Sequence, residues 1–184
     1  PILNLFAAIS NSGNNNRIMT SSDGINWIAQ SSNSNSNWKE IININNCFIA
    51  YTDNMSTSNS GKIMYSLDGI KWYNIFSSNS NILWCYIANN ILYVADTGNH
   101  ALRKVDLKKN EVSTIIGSGI RGQILSDSKS VKEVDLASPW DLEFFPDKNN
   151  IIIANSGTHQ LLKYDIIKET IVPFAGDGVE DIID

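Results

Sequence analysis

A chain of 184 residues with 42% hydrophobic, 9% aromatic and 18% charged content is long enough to bury a core and too apolar for a disordered linker. Its formal charge of -5 offers no basic field to a phosphate backbone or an anionic bilayer, so nucleic acid and membrane partners are disfavoured. Two cysteines and two histidines are too few and too widely spaced for a zinc-ligand pattern, so no cofactor is expected.

Taken in chain order, the apolar runs are four to seven residues long, rich in Ile, Val, Phe and Tyr, and bounded by Asn, Ser, Gly and Asp. That pattern reads as strand and turn throughout, with no convincing helix. A first strand is predicted over Leu5–Ile9, with only Pro1–Leu3 before it. Arg17–Trp27, RIMTSSDGINW, forms the first strand-turn unit, and an Asn/Ser tract at Ser31–Asn37 follows. Strands are next predicted over Trp38–Ile44 and Cys47–Tyr51. Lys62–Trp72, KIMYSLDGIKW, then repeats the first unit 45 residues later. The remaining predicted strands are Trp84–Ala88, Ile91–Ala95, Trp140–Phe145 and Asn150–Ala154, with a polar insertion from Ile120 to Asp135 expected as a surface loop with one short helical turn.

An internal period in the forties built from strands and turns is the spacing of a propeller blade. The expected fold class is therefore all-β: a β-propeller of four-stranded antiparallel blades, about four in this chain. The expected blades are 1–37, 38–83, 84–135 and 136–184, forming a single propeller unit. Blade one lacks an inner strand, and an unpaired strand edge is a template for pairing. The tail Val179–Asp184 would close the ring. Its Asp181 and Asp184 make it a poor inner strand, which favours a portion of a larger propeller or an assembly.

In the first half, Ser21-Ser22-Asp23-Gly24-Ile25-Asn26-Trp27 and Ser66-Leu67-Asp68-Gly69-Ile70-Lys71-Trp72 resemble a shortened Asp-box hairpin of sialidase-like propellers, over about residues 5–84. In the second half, ILYVADTGNHALRKVD at Ile91–Asp106 and NIIIANSGTHQLLKYD at Asn150–Asp165 resemble NHL repeats, over about residues 84–184. Eight positions match there at an offset of 59, from Ala95/Ala154 through His100/His159 to Gly119/Gly178. The stretches Ser138–Asp147 and Pro173–Asp184 look most like the NHL family members whose propeller follows a thioredoxin-like domain. No CxxC is present, so that redox chemistry does not carry over. The change of blade style near Trp84–Asn90 reads as a natural propeller that mixes blade types, which an engineered or composite chain would also show.

Fold does not fix function, which has to be argued from a site. Asp23, Gly24, Trp27, Asp68, Gly69 and Trp72 read as turn and packing residues: a short carboxylate accepts turn N–H groups, Gly takes positive φ, and Trp anchors the hairpin. Asp96, Gly98, Asn99 and Gly157 read the same way. His100 and His159 are weak metal candidates on the model of the NHL-like amidating lyases. Their place after a turn glycine fits a structural role better. Glycosidase chemistry needs two facing carboxylates, and sialidase-like catalysis also an arginine cluster; only Arg17, Arg103 and Arg121 exist, far apart in sequence. Arg103, Lys104, Lys108, Lys109 and Lys163 are the candidates for an RNA-binding face and read better as solvated positions. Trp38, Trp84 and Trp140 open inner strands near blade entrances and are the candidates for ligand contact, against core packing as the plainer reading.

The expected function is a non-catalytic scaffold or binding module for a protein or glycan partner, with self-association through an open blade edge included. The alternative is an NHL-type metal-dependent lyase or hydrolase with a site on the central axis. Cys47 and Cys85 read as buried free thiols rather than a disulfide. The absence of a signal peptide or apolar span, with few cysteines, favours an intracellular protein.

Overall fold

The structure, a computed structural model, describes residues 4–32, 34–44, 46–52, 61–78, 84–88, 91–109 and 111–179, with the backbone alone at 44, 61, 75–78 and 84–88. The chain divides into two compact units, Pro1–Ile82 and Leu83–Asp184. Among the described residues both are built from antiparallel sheets joined by turns and loops, and the fold class is that of an all-β propeller.

The first unit holds two meanders. Strands β1 (Phe6–Ile9), β2 (Ile18–Ser21) and β3 (Ile28–Gln30) form one sheet in chain order. Strands β4 (Trp38–Ile44), β5 (Cys47–Thr52), β6 (Gly61–Ser66) and β7 (Tyr73–Ser78) form the next. Their β-branched and aromatic residues suit a pleated surface, and Asn/Asp/Gly turns reverse the chain between them. Ile18, Trp38, Phe48, Ala50, Met64 and Trp72 make the core, with Leu5, Ala7, Ile9 and Ile41 half-buried against it. Strand β5 is buried along its whole length, so both of its faces are covered. The first sheet begins at the position that β5 holds in the second. Pro1–Leu3 lies outside the described residues.

The second unit contains the sheets β8 (Trp84–Ala88), β9 (Ile91–Asp96), β10 (Ala101–Asp106), β11 (Glu111–Ile116), and β12 (Lys129–Ser130), β13 (Pro139–Phe144), β14 (Asn150–Asn155), β15 (Gln160–Asp165), β16 (Thr170–Ala175). The spatial orders are β11-β10-β9-β8 and β12-β16-β15-β14-β13. One core spans the two sheets, joining Tyr93, Ala95, Leu102 and Ile116 to Leu142, Phe144, Ile151 and Ile153. Burying side chains of this size stabilises by about 1.5–3 kcal/mol each.

The insertion before β13 runs largely at the surface, as the sequence implies, but it is anchored: Leu125, Val131 and Val134, with Leu136 just beyond it, are buried in that core. Lys129 and Ser130 pair with Ile171 and Thr170, giving the fourth sheet a fifth strand that reaches back across position 136. Polar residues between these apolar ones hid the anchoring. The helical turn expected there is a 3-10 turn over Val131–Glu133, and two more follow β9 and β14 at Thr97–Asn99 and Ser156–Thr158. The tail beyond Val179, considered as a closing strand, lies outside the described residues.

Candidate functional site

The two DG hairpins fold as the sequence implies and are built alike. In the first, Asp23 Oδ1 accepts the N–H groups of Ile25 at 2.8 Å and Asn26 at 2.7 Å. In the second, Asp68 Oδ1 accepts those of Ile70 at 2.8 Å and Lys71 at 2.7 Å. Ser21 and Ser66 hydroxyls accept from Gly24 and Gly69, whose φ values are 75° and 74°. The N–H of Asn26, with its side-chain amide, holds the Asp23 carboxyl well below the ordinary carboxylate range. Burial alone would raise Asp68, but the Lys71 and Ile70 N–H groups and the Ser66 hydroxyl outweigh it and lower it. These carboxylates are occupied by their own turns. Trp27 and Trp72 each donate Nε1–H to the glycine carbonyl of the same turn, at 3.2 and 3.3 Å. Packing separates them: Trp72 is 3% exposed, while Trp27 is 40% exposed and is no buried anchor.

The NHL-like turns carry a different device. Asp96 is fully buried and accepts from Asn99 Nδ2 and from Arg103 Nε, each at 3.0 Å. Arg103 also donates to Thr114, so it is turned into the blade and is no free phosphate contact. Lys163 lies over the Phe145 ring at 5.1 Å. At the offset of 59, Asn155 and Leu162 replace Asp96 and Arg103. Asn155 Nδ2 donates to Thr158 Oγ1 at 2.7 Å and its Oδ1 accepts the Ala137 N–H at 2.8 Å. His100 and His159 close their 3-10 turns at φ 52° and 51°, a left-handed position that His adopts more readily than most residues. His100 Nδ1 accepts the Ser138 N–H at 3.0 Å, placing any ring proton of the neutral form on Nε2. Among the described residues no three His, Cys, Asp or Glu side chains converge on a point where a metal could sit. Gly98 is exposed on its turn, and Gly157 donates its N–H to Ala137 O at 2.8 Å.

The three strand-opening tryptophans are not equivalent, which corrects the sequence reading. Ala50 pairs with Ile41, Ala95 with Trp84 and Ala154 with Asp141. Measured from those pairs, Trp38 lies three residues before, Trp84 at the pair and Trp140 one residue before. Trp38 pairs with Thr52 and is 4% exposed in the core, so it faces no ligand. The Trp84 side chain lies outside the described residues. Trp140 sits in the register shift between Pro139 and Asp141, and a bulge re-aims its side chain outward, leaving it 57% exposed.

Trp140 lines the one feature shaped to receive a ligand among these candidates. With Ala154, Ser156, His159, Leu161 and Ala175 it borders a cavity of about 410 Å³ on the open face of the fourth sheet. Leu161 is 39% exposed there, and the His159 side chain makes no hydrogen bond among the described residues. Of the predicted site residues the structure thus brings together Trp140 and His159. Ala154 and Gly176 were marked as repeat positions and Leu161 as well, without being read as a surface. Ser156 and Ala175 were missed, although the 59-residue offset aligns them with Thr97 and Ile116. The cysteine reading concerns one described residue: Cys47 is buried and unbridged, and burial pushes its thiol up to about 12.

No family model matches the chain. NHL repeat-containing protein 2 of Bos taurus is 40% identical over 112 residues, covering 52% of this chain and 15% of that protein. Protein SUPPRESSOR OF QUENCHING 1, chloroplastic, of Arabidopsis thaliana is 38% identical over 91 residues, covering 50% and 9%. The chain therefore spans less than a sixth of the length of either relative. Among solved structures, an auxiliary nutrient binding protein of Bacteroides thetaiotaomicron superposes with a TM-score of 0.59 at 12% identity, covering 91% of this chain and 43% of that one. No described helix is long and apolar enough to cross a membrane. By its strand-turn repeats and sheets the chain is an all-β propeller, and about half of it is similar to NHL repeat-containing proteins.

Proposed function

We propose that the chain is a non-catalytic binding module, a propeller unit whose sheets serve as scaffold and whose open groove on the fourth sheet receives a protein or glycan partner. The observation that carries this reading is the groove itself. It is concave, mostly apolar, edged by an outward tryptophan and supplied with a few polar groups in His159 and Ser156, the composition of ligand-binding sites in general. The Asp23 and Asp68 carboxylates are committed to their turns and Asp96 to a buried ion pair.

The test is selection of a displayed peptide library and a glycan array against the purified chain, repeated with W140A and L161E. The reading expects ligands whose binding falls at least tenfold in both variants. Ligands indifferent to both substitutions, or none at all, would overturn it.

A further inference from the structure

We infer that the serine loop joining β3 to β4 holds a binding site for a tetrahedral oxyanion, a phosphate or sulfate group, at Arg17 and Lys62. The site belongs to the first unit and stands independently of the groove on the fourth sheet. Arg17 and Lys62 fill one position of the 45-residue repeat, each at the entry to the strand that leads into a DG hairpin. Both reach the same loop. Arg17 Nη1 donates to the Ser36 carbonyl at 2.8 Å and to Asn37 Oδ1 at 3.1 Å, and its Nε donates to the Gly13 carbonyl at 2.9 Å. Lys62 Nζ lies 3.5 Å from Ser34 Oγ, which shares a 2.6 Å hydrogen bond with Ser36 Oγ. The loop is tied down. Ser32 is fully buried, its hydroxyl donates to the Ser34 carbonyl at 2.7 Å, and its N–H donates to the Asn15 carbonyl at 3.1 Å. Asn35 Oδ1 accepts the Asn15 N–H at 2.6 Å.

What marks this loop is a surplus of positive charge and donors. Among the described residues neither Arg17 nor Lys62 has a carboxylate partner. Asp23 and Asp68 are held by their own turns beyond the far ends of β2 and β6, and Glu40 accepts the Tyr51 hydroxyl. Arg17 Nη2 keeps two protons without an acceptor, and Lys62 Nζ has only the long contact to Ser34. Trp38 adds a third donor. Its backbone N–H goes to the Ser36 carbonyl at 3.0 Å, while its buried indole N–H has no partner. Trp38 pairs with Thr52, whose hydroxyl accepts the Lys62 N–H at 2.9 Å, so the spare donors follow one stretch of the unit. Both cations are half-buried, where like charges are screened less than in open water, and an anion between them relieves that repulsion. The guanidinium fork, the ammonium point charge and the paired hydroxyls together match the oxygens of a tetrahedral anion. With a formal charge of -5 the chain has no basic field around this point, which favours a small phosphorylated or sulfated group over a nucleic-acid backbone.

The test is isothermal titration calorimetry of the purified chain with inorganic phosphate at constant ionic strength, with acetate as the control anion. Saturable binding about tenfold tighter than that of acetate is expected, with sulfate competing for the same site. R17Q and K62Q are each expected to weaken phosphate about tenfold and S34A several-fold, while K108Q, on the exposed turn after β10, leaves it unchanged. R17K keeps the charge and loses the fork, so its effect should fall between those of the native chain and R17Q. Arg17 also braces the loop, whereas Lys62 touches it only at Ser34, so K62Q keeps the test readable should R17Q not fold. Acetate binding as tightly as phosphate, or no saturable binding, would overturn the inference. Phosphate binding indifferent to K62Q and S34A, or weakened as much by K108Q as by K62Q, would overturn it as well.

Discussion

Asp96 and Asn155 show how one substitution forces another. Asp96 is a buried carboxylate opposite Arg103, and where the repeat has Asn155 the arginine position is Leu162. A buried charge without its partner is far costlier than a neutral pair, so the two positions change together. R103L is expected to destabilise the chain by about 3–5 kcal/mol, and the double variant D96N/R103L to recover most of that loss, in urea denaturation. A double variant as unstable as R103L would contradict it. The turn carboxylates make a second prediction. Asp23, Asp68, Asp106, Asp147 and Asp165 are all held below the ordinary 3.8 by hydrogen bonds in their turns. A depressed folded value means that the stabilisation is fully present above the unfolded value and is lost as pH falls through the folded one. The melting temperature is therefore expected to fall below about pH 4, and less steeply for D68N, which keeps an acceptor oxygen but does not titrate.

At the scale of elements, strand position was legible and strand register was not. Trp38–Ile44 and Trp84–Ala88 were read at their observed bounds because apolar runs and Asn/Ser punctuation are local signals. Register depends on which residue a bulge leaves unpaired, a property of two strands together, so three similar tryptophans came to lie in three settings. The anchoring of the insertion is illegible for the same reason: Leu125, Val131 and Val134, with Leu136 just beyond, are sparse in sequence and converge only in space. The close backbone passage after β11 gives a prediction here. Gly117 has φ 95° and no space for a Cβ beside His100 O, so G117A should cost more than about 1 kcal/mol, read as a lowered melting temperature. At Gly119, also at positive φ, a Cβ would have no neighbour within 4 Å, and G119A should cost less than G117A.

For the whole molecule, the all-β repeat architecture followed from the period, and the DG and NHL-like turns carried the resemblance residue by residue. The groove did not follow, because it is defined by what does not cover the fourth sheet, and a sequence records neighbours along the chain rather than across faces. Its residues were nonetheless marked in advance by the repeat: Leu161, Ala154 and Gly176 copy positions that are covered in the third sheet. The central claim is that these equivalent faces differ above all in cover. Hydroxyl-radical footprinting of the monomeric chain tests it most directly. Oxidation at Trp140 and Leu161 should be at least tenfold faster than at Leu102 and Ile116, after correction for intrinsic side-chain reactivity. Leu161 protected to the same degree as Leu102 would contradict the account.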